Sequence, residues 1–428
     1  MRRFISILHH RGLDVRMQLV LSRSDYAVWL HTAREHWSSG VGAVLGEFRH
    51  VGGFGCIEMV LNNWDNCTRQ PDWWFGCISY DYKNELEPLL STHFDGIGWP
   101  DSFFFRPRYV VIHDRRGWRV GYLSEYDDEV SVRTWLEGMR ESPIADPDCS
   151  SVIEMKPRVP YNDYCRNVFR IQEHIQRGDI YEMNYCMEFY NDHAEIDPAS
   201  VHRRLADVSP VPFGAFAKFD DKYLMCASPE RYLCKRGHRL VSQPIKGTAP
   251  RSEDAVMDLQ NRDRLAGSLK ERAENTMIVD LVRNDLARVA RRATVKVDEL
   301  CGIYGYRQVY QMISTVSAQL GDGLDWVDAI KATFPMGSMT GAPKRRAMEL
   351  IEMYEVTKRG LYSGAVGYIA PNGDFDFNVV IRSLLYNQSA RYLSYMVGSA
   401  ITSLSDADEE YRECLLKGKA IMQVLGGK

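Results

Sequence analysis

The sequence predicts an α+β fold, with strand-like runs gathered beside helix-like runs instead of alternating one for one. Apolar alternation recurs over 213–219, 223–227, 240–245, 362–370, 375–386 and 391–398. Helical periodicity fills 253–292 as one or two helices, and returns at 343–355 and 406–425. No internal repeat, heptad array or low-complexity tract interrupts this pattern.

Residues 1–140 read as mixed α/β, with an aromatic group including Trp64, Trp73 and Trp74 that suits a core or an interface. Pro143, Pro147, Pro157 and Pro160 then punctuate a connector between lobes. This places an N-terminal α/β lobe over 1–150 and a second, larger region over 151–428. Asn162 or Asp163 is placed to cap a helix whose apolar stripe is Tyr164, Val168, Ile171 and Ile175, with Gly178 at its stop. Ile180 to Tyr190 reads as a strand.

Composition narrows the function classes. The chain is 45% hydrophobic and 26% charged, ordinary for a globular protein. Its 53 basic and 57 acidic residues give a net charge of −4, so no strong positive field favours nucleic acid. The run Phe4 to Leu8 is too short for a signal-peptide core, and no apolar run approaches the ~20 residues of a membrane helix, so a cytoplasmic protein is expected. Ten cysteines lie scattered without a Cys-x-x-Cys pair, which predicts free thiols. All eleven histidines lie at or before His238, so chemistry in the C-terminal half falls to Lys, Glu, Asp, Arg and Tyr.

Five places there are candidates. Ser268 and Glu271 form a capping box, and counting back from the apolar face of Ile278, Leu281 and Val282 puts Glu274 on or beside the buried stripe. A carboxylate so placed pairs with an arginine or binds a cation. The last helix, capped by Ser405 or Asp406, sets Glu410, Glu413 and Lys417 on the side of Cys414, Ile421 and Val424. Glu413 and Lys417 make an i,i+4 pair, or the two helices together offer carboxylates to a hard ion such as Mg²⁺. Lys246 sits between an apolar strand end and Gly247. It is either a surface-loop lysine or an amine whose pKa is lowered by desolvation and a nearby cation. Arg382 ends the pattern Phe375 to Ile381, where Asp376, Asn378, Val380 and Arg382 share one face; its guanidinium suits a substrate carboxylate or a protein one. Gly337 to Lys344 lacks the spacing of a nucleotide-phosphate loop, but its turn into a helix with Pro343 offers an anion-facing N-terminus.

Together these segments resemble the chorismate-utilising enzymes, a family that includes anthranilate, aminodeoxychorismate, isochorismate and salicylate synthases. The resemblance rests on Ala227 to Tyr232, Pro244 to Thr248, Arg272 to Asn275, Asp280 to Leu286, Gly337 to Lys344, Gly364 to Tyr368, Asp376 to Arg382 and Glu410 to Lys417, in the family's order across 155–428. Ile78 to Glu85 adds a weaker N-terminal match. The resemblance implies two large, mainly antiparallel sheets packed as a sandwich with helices outside, and makes 151–428 the chorismate-binding region. Lys246 within Pro-Ile-x-Gly-Thr resembles the aminodeoxychorismate branch, which aminates chorismate at C4; anthranilate synthases carry alanine there. The segment Val309 to Ser314 lacks the histidine usual in anthranilate synthases. Ala400 replaces a usual glycine in a turn expected near Gly398-Ser399-Ala400.

For the site, the resemblance implies Lys246 as nucleophile and Glu230 as general acid. It implies Mg²⁺ held by Glu274 and Glu413, with Glu271 and Glu410 behind them. Arg382, Tyr362 and Lys417 would grip the substrate, together with Gly247, Thr248, Thr340, Gly364 and Gly398. Ammonia would come from a glutamine amidotransferase subunit, in the route to 4-aminobenzoate and folate. The competing readings are an anthranilate or isochorismate synthase, and a catalytically silent subunit that only docks an amidotransferase.

Overall fold

A computed structural model describes residues 2–7, 17, 24–37, 48–64, 67, 70–141 and 152–426. The connector prolines Pro143 and Pro147 lie outside the described residues. The architecture turns on one long strand, Ser102–Asp114. One of its edges pairs with His50–Leu61 along most of its length. The other pairs first with Trp74–Ile78 and then with Gly117–Leu123. Two antiparallel arms leave this shared strand.

The first arm runs from His50–Leu61 through Tyr26–His31, Phe213–Phe219, Lys222–Ser228, Ser383–Asn387 and Tyr392–Ile401 to Glu182–Asn191. The second runs from Trp74–Ile78 through Ala365–Ile369, Phe375–Asn378, Arg231–Arg236 and Arg239–Gln243 to Val309–Gln319, which also pairs with Ile245–Pro250 and Lys296–Gly305. The arms face one another as the expected sandwich. Strands of period two put alternate side chains on opposite faces. Ala215, Ala217, Leu224, Cys226 and Met396 of the first arm therefore join Phe75, Leu233, Val316, Phe375 and Phe377 of the second in one core. Their neighbours Phe216, Met225, Tyr395 and Val397 face outward into a second core. Helices Tyr161–Gln176, Pro198–Val208 and Ala407–Val424 cover that face. Residues 1–150 supply strands to both arms, so the expected N-terminal lobe is woven into the same sheets as 151–428.

Several local expectations hold. The stripe Tyr164, Val168 and Ile171 is fully buried, Gly178 takes φ +82 after the helix, and the described cysteines are unpaired. Trp64, Trp73 and Trp74 are buried in the inter-arm core. Others are corrected. The helix begins at Tyr161, one residue after Pro160, so Asn162 and Asp163 lie in its first turn and cap nothing. Pro157 sits in a short strand against Phe189, not in a linker. The stretch 253–292, read as one or two helices, forms two, Ala255–Gly267 and Leu269–Ala287, because Ser268 takes extended backbone and caps the second helix, so that expectation holds. The expected strand 375–386 is corrected to two strands, Phe375–Asn378 and Ser383–Asn387: between them the Ile381 N–H turns back onto the Val379 carbonyl at 2.9 Å and Arg382 takes φ +53. Among the described residues, no helix is long and apolar enough to cross a membrane.

Phe377 is fully buried between the arms, edge-on to Phe104. Phe377→Ala removes a ring that close packing cannot replace, so urea unfolding should show a loss of about 3–5 kcal/mol. A loss below about 1 kcal/mol would mean that the arms do not depend on this contact.

Candidate active site

A cavity of about 760 Å³ opens where the ends of the two arms meet helices Leu269–Ala287 and Ala407–Val424. Its wall includes Glu230, Lys246, Gly247, Thr248, Glu271, Glu274, Tyr362, Arg382, Gly398, Glu410, Glu413 and Lys417. Of the residues expected at the site, Thr340 and Gly364 stand apart from this wall. Thr340 is buried, with its hydroxyl on the carbonyls of Met336 and Gly337. A Cβ on Gly364 would come within 2.2 Å of the Ile78 carbonyl oxygen, so this glycine serves packing.

Two helices bring the acids in. Ser268 Oγ accepts the Glu271 N–H at 3.3 Å, which is half of the expected capping box. The Glu271 carboxylate makes no return bond and lies against Gly247, where a Cβ would come within 3.0 Å of its Oε2. Gly247 also holds φ +97, a conformation that side chains disfavour. Asp406, not Ser405, caps the last helix, accepting the N–H groups of Asp408 and Glu409. One turn on, Glu410 and Glu413 point at the first helix.

Electrostatics confirm the convergence. Burial raises Glu271, and Glu413 across the gap raises it further. Burial and then Glu413 raise Glu410. Burial pushes Glu274 up to about 7, with Glu182 and Glu271 adding to the shift against the pull of Lys246. Burial also acts on Glu413, but Lys417 at 2.6 Å outweighs it and holds this carboxylate below its usual range. Lys417 reaches the Gly398 carbonyl at 2.7 Å as well, and Lys270 lies 3.6 Å from Glu410.

This donor set fits a hard divalent cation. Among the described residues Glu274 Oε1 is buried without a hydrogen-bond partner, and a carboxylate oxygen in that state is costly unless a cation meets it. Among the described residues no three His, Cys, Asp or Glu side chains close into a metal cage. Mg²⁺ is commonly bound through one or two carboxylates plus water and ligand oxygens. Lys270 and Lys417 balance Glu410 and Glu413 in its absence.

Lys246 lies in the strand Ile245–Pro250 with only 11% of its side chain exposed, so it is not a surface-loop residue. Its Nζ donates to Glu182 Oε1 at 2.8 Å. Burial lowers its pKa, as desolvation predicts, but Glu182, Glu274 and Glu230 outweigh burial and hold it above its usual value, as the ammonium. Glu230 is fully enclosed. Burial raises it to about 7 although Ser338 Oγ donates to it at 2.6 Å and Lys246 opposes the shift. A carboxyl balanced near neutrality is equipped to give a proton.

Arg382 sits at φ +53, a left-handed backbone that costs a branched chain roughly 1 kcal/mol or more. Its guanidinium lines the cavity with no hydrogen bond or ion pair among the described residues, so it is free to meet an anion beside Tyr362. The turn expected at Gly398-Ser399-Ala400 is corrected: these residues continue the strand Tyr392–Ile401, and Gly398 lets Cys186 and Asn184 pack close. The helix start at Lys344 lies away from the cavity, with Lys344 bound to Asp285 at 2.6 Å.

Sequence reading missed Glu182, Ser338 and Asn275. Glu182 passed as one position of an apolar strand; a carboxylate there was the available signal. Asn275 is buried and donates to the backbone carbonyls of Lys246 and Met312, tying the Glu274 helix to the Lys246 strand.

The Glu274 shift sets a test. A carboxyl raised on folding binds more protons in the native state, so its contribution is present below about 4.5 and is lost as pH rises through about 7. Glu274→Gln should therefore stabilise the metal-free protein at pH 8 by on the order of 2 kcal/mol and leave it unchanged near pH 4.5, read by denaturant unfolding. An equal effect at both pH values would contradict the crowding of acids.

Comparison with known proteins agrees with the geometry. The family model described as chorismate binding enzyme matches residues 46–423. Aminodeoxychorismate synthase component 1 of Bacillus subtilis is 32% identical over 361 residues, covering 82% of this chain and 76% of that protein. The Escherichia coli protein of the same name is 33% identical over 350 residues, with the same coverage. The crystal structure of anthranilate synthase component I from Streptococcus pneumoniae superposes with a TM-score of 0.74 at 29% identity, covering 82% of this chain and 80% of that one. With its cavity of converging glutamates and a family match across most of its length, this chain belongs to the chorismate binding enzymes.

Proposed function

We propose that this chain aminates chorismate at C4, giving 4-amino-4-deoxychorismate, with ammonia delivered by a separate glutamine amidotransferase subunit. The observation that carries this reading is the meeting of Lys246, Glu230 and the carboxylates of two helices in one cavity. The relatives named aminodeoxychorismate synthase component 1 support it.

Glu274 and Glu413 would hold Mg²⁺, with Glu271 and Glu410 ordering its water. Bound there, the ion supplies Lewis-acid polarisation of the substrate's ring carboxylate. Arg382 and Tyr362 receive the enolpyruvyl carboxylate, and Lys417 adds positive charge at the ring carboxylate. Two carboxylates on the substrate would otherwise enter a cavity rich in like charge, so the cations have to outweigh the glutamates. Lys246 Nζ attacks ring C2, the double bond shifts, and the C4 hydroxyl leaves as water with the proton of Glu230. Ammonia then adds at C4 and expels Lys246.

Products made from chorismate, Mg²⁺ and ammonium separate this reading from anthranilate or isochorismate synthesis and from a silent docking subunit. Wild type should yield aminodeoxychorismate, and Lys246→Ala should lose at least about a thousandfold of that activity. Unchanged C4 amination in Lys246→Ala would overturn the covalent role. Because Glu230 must carry a proton, kcat/KM should fall as pH rises through about 7, and Glu230→Gln should lower it about 10²–10⁴-fold.

A further inference from the structure

Glu182 is the group at the site whose presence neither the expected mechanism nor the packing explains. It opens the strand Glu182–Asn191, with 1% of its side chain exposed. One oxygen receives Lys246 Nζ at 2.8 Å; the other, Oε2, is buried without a partner among the described residues. A buried carboxylate with half its capacity unused is costly, and an apolar residue of similar size would fill the same volume without that cost.

The backbone around it is built for close approach. Gly341 and Ala342 pair with Met183 and Glu182, and a Cβ on Gly341 would come within 2.2 Å of the Glu182 carbonyl oxygen. The same turn carries Ser338, which holds Glu230 at 2.6 Å. Asn184, two residues along from Glu182, donates to the Ser338 carbonyl at 3.1 Å. One short segment therefore fixes two carboxyl groups near Lys246, Glu182 bonded to its amine and Glu230 held by Ser338.

We infer that Glu182 is the proton acceptor for Lys246, converting the resting ion pair into amine and carboxylic acid when substrate binds. This rests on the reading of Lys246 as nucleophile. In the step, an N–H bond of the ammonium breaks and an O–H bond forms on Glu182; the freed electron pair makes the N–C2 bond. The C4–O bond breaks as Glu230 gives its proton, and water leaves. When ammonia later adds at C4, the C2–N bond breaks and Lys246 departs as neutral amine. It recovers its proton from Glu182, which restores the ion pair. Glu230 takes up the next proton from solvent.

The test is the pH profile of the full-length enzyme with chorismate, Mg²⁺ and ammonium. In wild type the lysine proton passes inside the protein, so the rate should not rise with pH. In Glu182→Gln that proton must reach solvent. Its kcat at pH 7 should drop about 10²-fold or more and climb with pH up to about 7, the range in which Glu230 keeps its proton, while KM for chorismate changes less than about threefold. Glu182→Asp should restore part of the rate without the climb. A wild-type kcat and profile in Glu182→Gln would overturn the inference. So would a pH-independent loss shared by both variants, which marks Glu182 as structural. Lys246→Ala distinguishes the underlying reading: if it still aminates C4, the nucleophile assignment fails whatever Glu182 does. Circular dichroism and thermal melting confirm that each variant is folded before its rate is read.

Discussion

Carboxylates on two separate helices face one another across a cavity in which burial strips away much of their water. That mutual repulsion organises the site. Burial raises Glu274, Glu271 and Glu410, with their acidic neighbours adding to the shift and Glu274 reaching about 7; burial alone lifts Glu230 to about 7; and the nearby lysines become partners of these acids. An isolated buried charge costs several kcal/mol, so such an arrangement persists only where cations answer it. Lys246, Lys270 and Lys417 give part of the answer, and the unpaired oxygen of Glu274 marks where a divalent ion would complete it.

The fold exists to hold that standoff in place. Ser102–Asp114 belongs to both arms, so the sheets cannot slide apart, and the aromatic core between them locks their relative position. The helix with Glu274 is tied through Asn275 to the strand of Lys246. The helix with Glu413 is tied through Lys417 to the strand of Gly398. The active groups thus ride on regular elements, which is how positions are kept within fractions of an ångström.

Much of this was legible in the sequence. Helical spacing put Glu274, Glu410 and Glu413 on inward faces, and strand alternation anticipated both β-rich arms. Motif order then joined Lys246 and Glu230 to the same site. What escaped has physical causes. Whether the amine of Lys246 is neutral or charged depends on Glu182, which lies 64 residues away in sequence and meets it only through strand pairing. The strand break after Asn378 follows from a tight turn at Val379 to Ile381 and the left-handed backbone of Arg382, which periodicity cannot register. The half-formed capping box at Ser268 reflects Glu271 turning toward the cavity, a tertiary preference that overrides a local one. Thr340 and Gly364 sit in the right motifs yet serve the wall's backbone rather than its surface.

The central claim is that Lys246 bonds to the substrate. Mass spectrometry of the enzyme quenched after incubation with chorismate and Mg²⁺, with ammonia withheld, addresses it directly. The account predicts an adduct of chorismate less one water on the peptide that contains Lys246. An unmodified Lys246 peptide, in enzyme that aminates chorismate once ammonium is supplied, would contradict it.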